Sequence, residues 1–148
     1  MAVGTTTETK VGRIKPCAFI DLEQHNDERG KLSVVESGAT TGFPIRRVYY
    51  LHDADAGASR GSHAHRELEQ LVIAVHGSFT ITVDDGFGQA SYVLDDPGRG
   101  LYIGPMVWRQ LSGFSEGAVC VVLASLHYDE SDYHRDYEAF LADARRWP

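Results

Sequence analysis

Residues 60–70 read RGSHAHRELEQ, with two histidines one residue apart, an arginine three positions before the first, and glutamates soon after. Imidazole titrates near pH 6.5, so it can take or give a proton at neutral pH, and its lone pair can also ligate a metal. Side chains two apart on a strand share a face, which aims His63 and His65 the same way and Ala64 the other. Such a pair can bind metal, do acid–base work, or be inert. Arg60 and Arg109 add permanent positive charge that can hold an anion or stabilise a developing oxyanion. A wall carrying this many polar groups costs desolvation, which argues against the inert option.

The elements that must position these residues read as short strands. CAFIDL, KLSVVES, IRRVYYL, LEQLVIAVHG, SFTITVDD, ASYVLDD, GLYIGP and AVCVVLASL are rich in β-branched and aromatic residues. Between them lie turn compositions such as NDERG, HDADAGASRG, DDGFG and DDPGRG. About eight strands at hairpin spacing, with no helix among them, predict an all-β sandwich or barrel. The period then changes. Tyr133, Tyr137, Phe140, Leu141 and Ala144 fall on one face of a helix of about three turns. Asp129 or Ser131 would cap its start, and Arg145 and Arg146 suit its end.

The chain has 148 residues and a formal charge of −7, from 21 acidic and 14 basic residues. Its length and 43% hydrophobic content suit one packed domain. Residues 1–12 read as a flexible tail and 13–148 as the single domain, with no fused domain expected after the helix. The acidic balance speaks against a general nucleic-acid or anionic-membrane binder. MAVGTTTETK lacks a basic and an apolar region, and no apolar run approaches the roughly 20 residues of a membrane span, so a cytoplasmic location is expected. Cys17 and Cys120, in apolar surroundings, read as buried free thiols.

The spacing around His63 and His65 resembles the first motif of the cupin superfamily, which implies a jelly-roll β-barrel, here with a C-terminal α-helix. That motif continues with a Glu four or five residues after His-x-His and a Gly at the next turn. Gln70 stands at the longer spacing, seven residues before Gly77, and Glu69 at the shorter one. Strand alternation puts Gln70 inward. The second cupin motif matches GLYIGPMVWRQL, where Arg109 replaces the expected last histidine. A guanidinium has no lone pair to give, and the site has lost negative charge, so no metal is expected.

Further stretches narrow the match. DERGKL at 27–32, RRVYYL at 46–51, RGSHAHRELEQ at 60–70, GLYIGPMVWRQL at 100–111 and YDESDYHRDYEAF at 128–140 resemble the sugar 3,4-ketoisomerases, the WxcM-like cupins acting on dTDP-4-keto-6-deoxyglucose. The resemblance covers nearly the whole chain after residue 13. It implies an isomerase that moves the ketone from C4 to C3 through an enediol, without metal or other cofactor, in deoxyamino-sugar biosynthesis. It implies a homodimer too, in some members with an exchanged N-terminal strand. Within it, His65 is taken as the main base, His63 as its partner and Tyr49, rather than Tyr50, as the relaying tyrosine. Arg60, Arg109 and Arg29 are candidates for the diphosphate or sugar oxygens, Gln70 for a sugar hydroxyl, and Trp108 for stacking on the base or closing the barrel. A dTDP-sugar 3,5-epimerase, another cupin enzyme and a non-catalytic sugar-nucleotide-binding module stand as alternatives.

Overall fold

FTITVD alternates apolar and polar side chains, and a strand sends the two sets to opposite faces. In the computed structural model, which describes residues 6–9 and 17–146, Phe79, Ile81 and Val83 are accordingly no more than 1% exposed. Burying each such side chain stabilises the fold by roughly 1.5–3 kcal/mol. The same logic repeats along the chain. The strands are β1 (Thr6–Thr9), β2 (Cys17–Asp21), β3 (Glu23–Asp27), β4 (Gly30–Val34), β5 (Arg47–Leu51), β6 (Arg60–His65), β7 (Gln70–His76), β8 (Phe79–Asp84), β9 (Gln89–Leu94), β10 (Arg99–Ile103), β11 (Trp108–Ser112), β12 (Val119–Ala124) and β13 (Tyr133–His134). A 3-10 turn (Glu130–Asp132) precedes β13, and α1 (Tyr137–Ala144) follows it.

The ladders build two antiparallel sheets, in the orders β1-β9-β8-β11-β6-β13 and β2-β10-β7-β12-β5, and a separate β3-β4 hairpin. The main core lies between the sheets: Phe79, Ile81, Val83, Tyr92 and Leu111 from the first, and Val72, Leu101, Ile103 and Val122 from the second. The result is a jelly-roll sandwich, with no ladder joining the two sheets into a closed barrel among the described residues. Thr6–Thr9, inside the stretch read as a tail, pairs with β9; backbone pairing needs no apolar side chains. Residues 1–5 and 10–12 of that stretch lie outside the described residues.

Three further strands escape the sequence pattern. β3 is polar and exposed throughout, so it carries no alternation to read. β11 is hidden inside the GLYIGPMVWRQL motif, and β13 has only two residues. β13 also corrects the helix. The segment before α1 is tied to β6: the Arg66 N–H donates to the Asp132 carbonyl at 2.8 Å, and Tyr133 pairs with His65. Asp129 caps the 3-10 turn, whereas Asp136 caps α1 by accepting from the Ala139 N–H. The helix is therefore 8 residues long. Its Phe140 and Ala144 pack on Ala64 and Trp108. No helix among the described residues is long and apolar enough to cross a membrane.

Candidate active site

β6 presents both imidazoles on one face. Their ring centroids are 4.8 Å apart in an edge-on arrangement. Gly61, at φ +71°, sits where β6 has one residue more than β11 between the pairs Arg109–His63 and Leu111–Arg60. Such a bulge re-aims its neighbours, and the left-handed backbone favours glycine. His63 lines a cavity of about 380 Å³. His65 lies one step deeper, at 0% exposure. Its carbonyl accepts the N–H of Met106 at 2.7 Å, and Met106 is held in the left-handed region at φ 58°. The Tyr133 ring lies 5.0 Å from that of His63 and 4.3 Å from that of His65.

His65 Nδ1 lies 3.1 Å from Asp132 Oδ2. The same carboxylate accepts the backbone N–H groups of Glu67 and Leu68 at 2.8 and 3.3 Å, so its position is fixed. A carboxylate can only accept, which assigns the proton to Nδ1 and leaves a lone pair on Nε2. Nε2 is buried and has no partner among the described residues. Burial, and then the Arg109 guanidinium, pushes His65 down to about 2 and His63 to about 3. Both rings are therefore neutral at physiological pH.

Arg109 faces His63 across the β6–β11 ladder and is 2% exposed. Its Nε and Nη2 donate to the Val107 carbonyl at 3.1 and 3.0 Å, and its Nη1 donates to Gln70 Oε1. The Gln70 amide in turn donates to the Tyr49 oxygen at 2.9 Å. Burial, above all, raises Tyr49 above the usual phenol pKa. Tyr49 is therefore a protonated phenol whose oxygen already accepts a bond, leaving its own proton to donate elsewhere. Tyr50 is 62% exposed on the other face of β5.

Arg47, Arg60, Arg109 and Arg135 all line the cavity, and no carboxylate among the described residues does. An acidic protein has concentrated positive charge here. Arg47 Nε and Nη2 are buried without a hydrogen-bond partner among the described residues, an arrangement that suits an incoming anion. Arg135 is held by two bonds to Glu130, at 2.6 and 3.0 Å, and stacks 4.3 Å over the Tyr133 ring. Among the described residues, no group of three or more His, Cys, Asp or Glu side chains is arranged to hold a metal ion.

Six of the eight residues singled out from sequence are brought together: His63, His65, Tyr49, Gln70, Arg60 and Arg109. Two are not. Trp108 packs on α1, 5.3 Å from Tyr137 and 5.7 Å from Phe140 between ring centroids, and does not line the cavity. Its strand neighbour Arg109 points inward, so alternation turns Trp108 outward. Arg29 lies in the β3–β4 turn, its side chain 87% exposed and bonded to Asp27 at 2.7 Å. Sequence reasoning misses Arg47, Tyr128, Asp132, Tyr133 and Arg135. Arg47 has a signal that could find it, because it lies two residues from Tyr49 on one strand. Asp132, Tyr133 and Arg135 are hidden because their segment reads as part of a helix, and Tyr128 lies just before its expected cap.

Residues 15–145 match the FdtA family, described as WxcM-like, C-terminal. A TDP-4-oxo-6-deoxy-α-D-glucose-3,4-oxoisomerase of Aneurinibacillus thermoaerophilus is 42% identical over 121 residues, 82% of this chain and 87% of that protein. A histidine-to-asparagine mutant of the 3,4-ketoisomerase QdtA from Thermoanaerobacterium thermosaccharolyticum, solved with TDP-4-keto-6-deoxyglucose, superposes with TM-score 0.89 at 37% identity, covering 91% of this chain and 98% of that one. The WlaRB TDP-quinovose 3,4-ketoisomerase of Campylobacter jejuni gives TM-score 0.84 at 43% identity, covering 87% and 99%. A match across nearly the whole sequence, with relatives above 40% identity, places this chain in the WxcM-like C-terminal family.

Proposed function

We propose that this chain is a 3,4-ketoisomerase acting on TDP-4-keto-6-deoxyglucose by proton transfer through neutral imidazoles, without a metal. The observation that carries the proposal is His65, whose Nδ1 is tied to Asp132 and whose buried Nε2 has no partner among the described residues, packed edge-on against His63, which lines the arginine-rich cavity. The C4 ketone acidifies the C3 hydrogen. His65 takes that proton, and the C–H electrons form the C3–C4 double bond of an enediolate with its charge on O4. Arg109 supplies positive charge, and Tyr49 a hydrogen bond, to that oxygen. The His65 imidazolium exchanges its proton with solvent and returns one to carbon C4, while the C3 hydroxyl passes its proton to O4 and becomes the ketone. Tyr49 and His63 are the relay between the two oxygens. Asp132 is a positioning residue that fixes the His65 tautomer.

Arg47 and Arg60 are the proposed anchors for the diphosphate. Metal independence rests on the chemistry of the wall. A guanidinium beside the imidazoles repels a divalent cation, and the ligating carboxylate of the related barrels is an amide here, Gln70. A cytoplasmic location and a homodimer complete the proposal. Val48 and Tyr50 on edge strand β5 are 56% and 62% exposed, in keeping with a face that a second copy covers; light scattering at twice the 16.3 kDa chain mass is the expected result. The catalytic test incubates chelator-stripped protein with the substrate in deuterated buffer and follows the sugar by NMR. Ketone at C3 with deuterium at C4 is expected. Deuterium at C3 and C5 with the ketone still at C4 would instead indicate an epimerase.

A further inference from the structure

Asp132 can orient His65 only while the backbone that carries it stays in place. Little of that backbone is held by burial. Glu130 and Ser131 before it are exposed, and β13 after it has two residues. A strand that short makes too few ladder bonds to fix itself. Something else must hold the segment on β6.

Arg66, the residue after His65, supplies that hold. It is exposed and does not line the cavity. An exposed arginine ordinarily keeps its guanidinium in water. This one turns it back on the chain. Its Nη1 donates to the Ser131 carbonyl at 3.0 Å and to the Tyr133 carbonyl at 2.7 Å. Those carbonyls flank Asp132, whose own carbonyl accepts the Arg66 backbone N–H. One residue thus grips three consecutive carbonyls. Bonds from a charged donor are roughly twice as strong as neutral ones. The second observation concerns the other end of Asp132. Its carboxylate accepts the Glu67 and Leu68 N–H groups and reaches His65 Nδ1. The turn after His65 therefore holds Asp132 by its backbone and by its side chain, and the guanidinium carries most of the backbone half.

We infer that Arg66 is a positioning residue for the proton transfer, its guanidinium strapping the 131–133 backbone so that the Asp132 carboxylate stays on His65. The inference rests on the isomerase proposal above. Arg66 acts through Asp132 and touches neither the imidazoles nor the cavity. Its loss is felt in turnover and not in binding.

The test measures kcat with saturating TDP-4-keto-6-deoxyglucose, and the Kd of thymidine diphosphate by calorimetry, for Arg66→Gln, Asp132→Asn and the double variant. Arg66→Gln keeps an apolar stem and removes the charged donor. Its kcat falls by roughly ten- to a hundredfold, as for a group misplaced by about an ångström, with Kd within about twofold of wild type. In the Asp132→Asn background the same change costs about twofold or less, because the carboxylate it positions is already gone. Arg66→Lys keeps a cation within reach of the carbonyls and restores part of the lost kcat; where Arg66→Gln does not fold, the cycle is run with Arg66→Lys. Wild-type kcat, equal losses in both backgrounds, or a Kd that rises as much as kcat falls overturns the strap and leaves the isomerase proposal standing. A wild type that does not move the ketone brings down that proposal and the strap with it.

Discussion

Asp132 decides which nitrogen of His65 is free, and that is a statement about a single proton. Asp132→Asn keeps the size and shape of the side chain. Its oxygen still accepts the Glu67 N–H, and its amide then donates to His65 Nδ1. The ring is forced into the other tautomer, with Nε2 protonated and useless as a base. Turnover is expected to fall by about 10²–10⁴-fold, the range for a lost general base, with thymidine diphosphate affinity retained. The ¹⁵N shifts of the imidazole report the tautomer directly, a readout that mere loosening of the loop would not move. The lowered pKa values carry a second prediction. With His63 near 3 and His65 near 2, neither ring gains a proton between pH 8 and pH 5.5. The pH profile of kcat/KM is therefore flat across that window. An acid limb at pH 6.5 would mean that the rings titrate as exposed histidines do.

At the scale of elements, the segment 128–144 is the piece that completes the site. Its apolar residues fit a helix face, and a helix does form over the second half. What spacing could not reveal is that Asp132 spends its carbonyl and carboxylate on the Arg66, Glu67 and Leu68 amides. Those bonds are long-range and hold the first half on β6 as a turn and a short strand. Strands with alternating burial, such as β8 and β9, and the inward set His63, His65, Tyr49 and Gln70, were legible because alternation is local. The polar hairpin strand β3 and the contributions of Tyr133 and Asp132 depend on partners far along the chain, which no local pattern records. Phe140, at 0% exposure against Ala64 and Trp108, anchors α1. Phe140→Ala should cost about 3–5 kcal/mol in denaturant unfolding. Asp136→Ala, which removes only the helix cap, should cost about 1 kcal/mol.

For the whole molecule, charge is distributed against its own average. A chain of net charge −7 lines one cavity with four arginines. Attraction of a diphosphate into such a cavity is screened by salt, so the Kd for thymidine diphosphate should rise steadily with ionic strength. The buried neutral histidines also tie stability to pH. In the unfolded chain they take up protons below about pH 6.5, whereas in the folded protein they do not. Their contribution is complete above pH 6.5 and is lost as the pH falls toward the folded values, at roughly 1 kcal/mol per pH unit for each ring. The Tm should thus drop between pH 7 and pH 5, with a shallower slope in the His63→Asn, His65→Asn double variant.

The central claim is that a neutral, carboxylate-oriented imidazole takes the C3 proton. Single-turnover rates of His65→Asn, measured with saturating TDP-4-keto-6-deoxyglucose and excess chelator, address it most directly. The expected result is a loss of about 10²–10⁴-fold relative to wild type under the same conditions, with thymidine diphosphate still bound. A His65→Asn variant that isomerises within tenfold of wild type, or a wild-type enzyme silenced by the chelator, would contradict it.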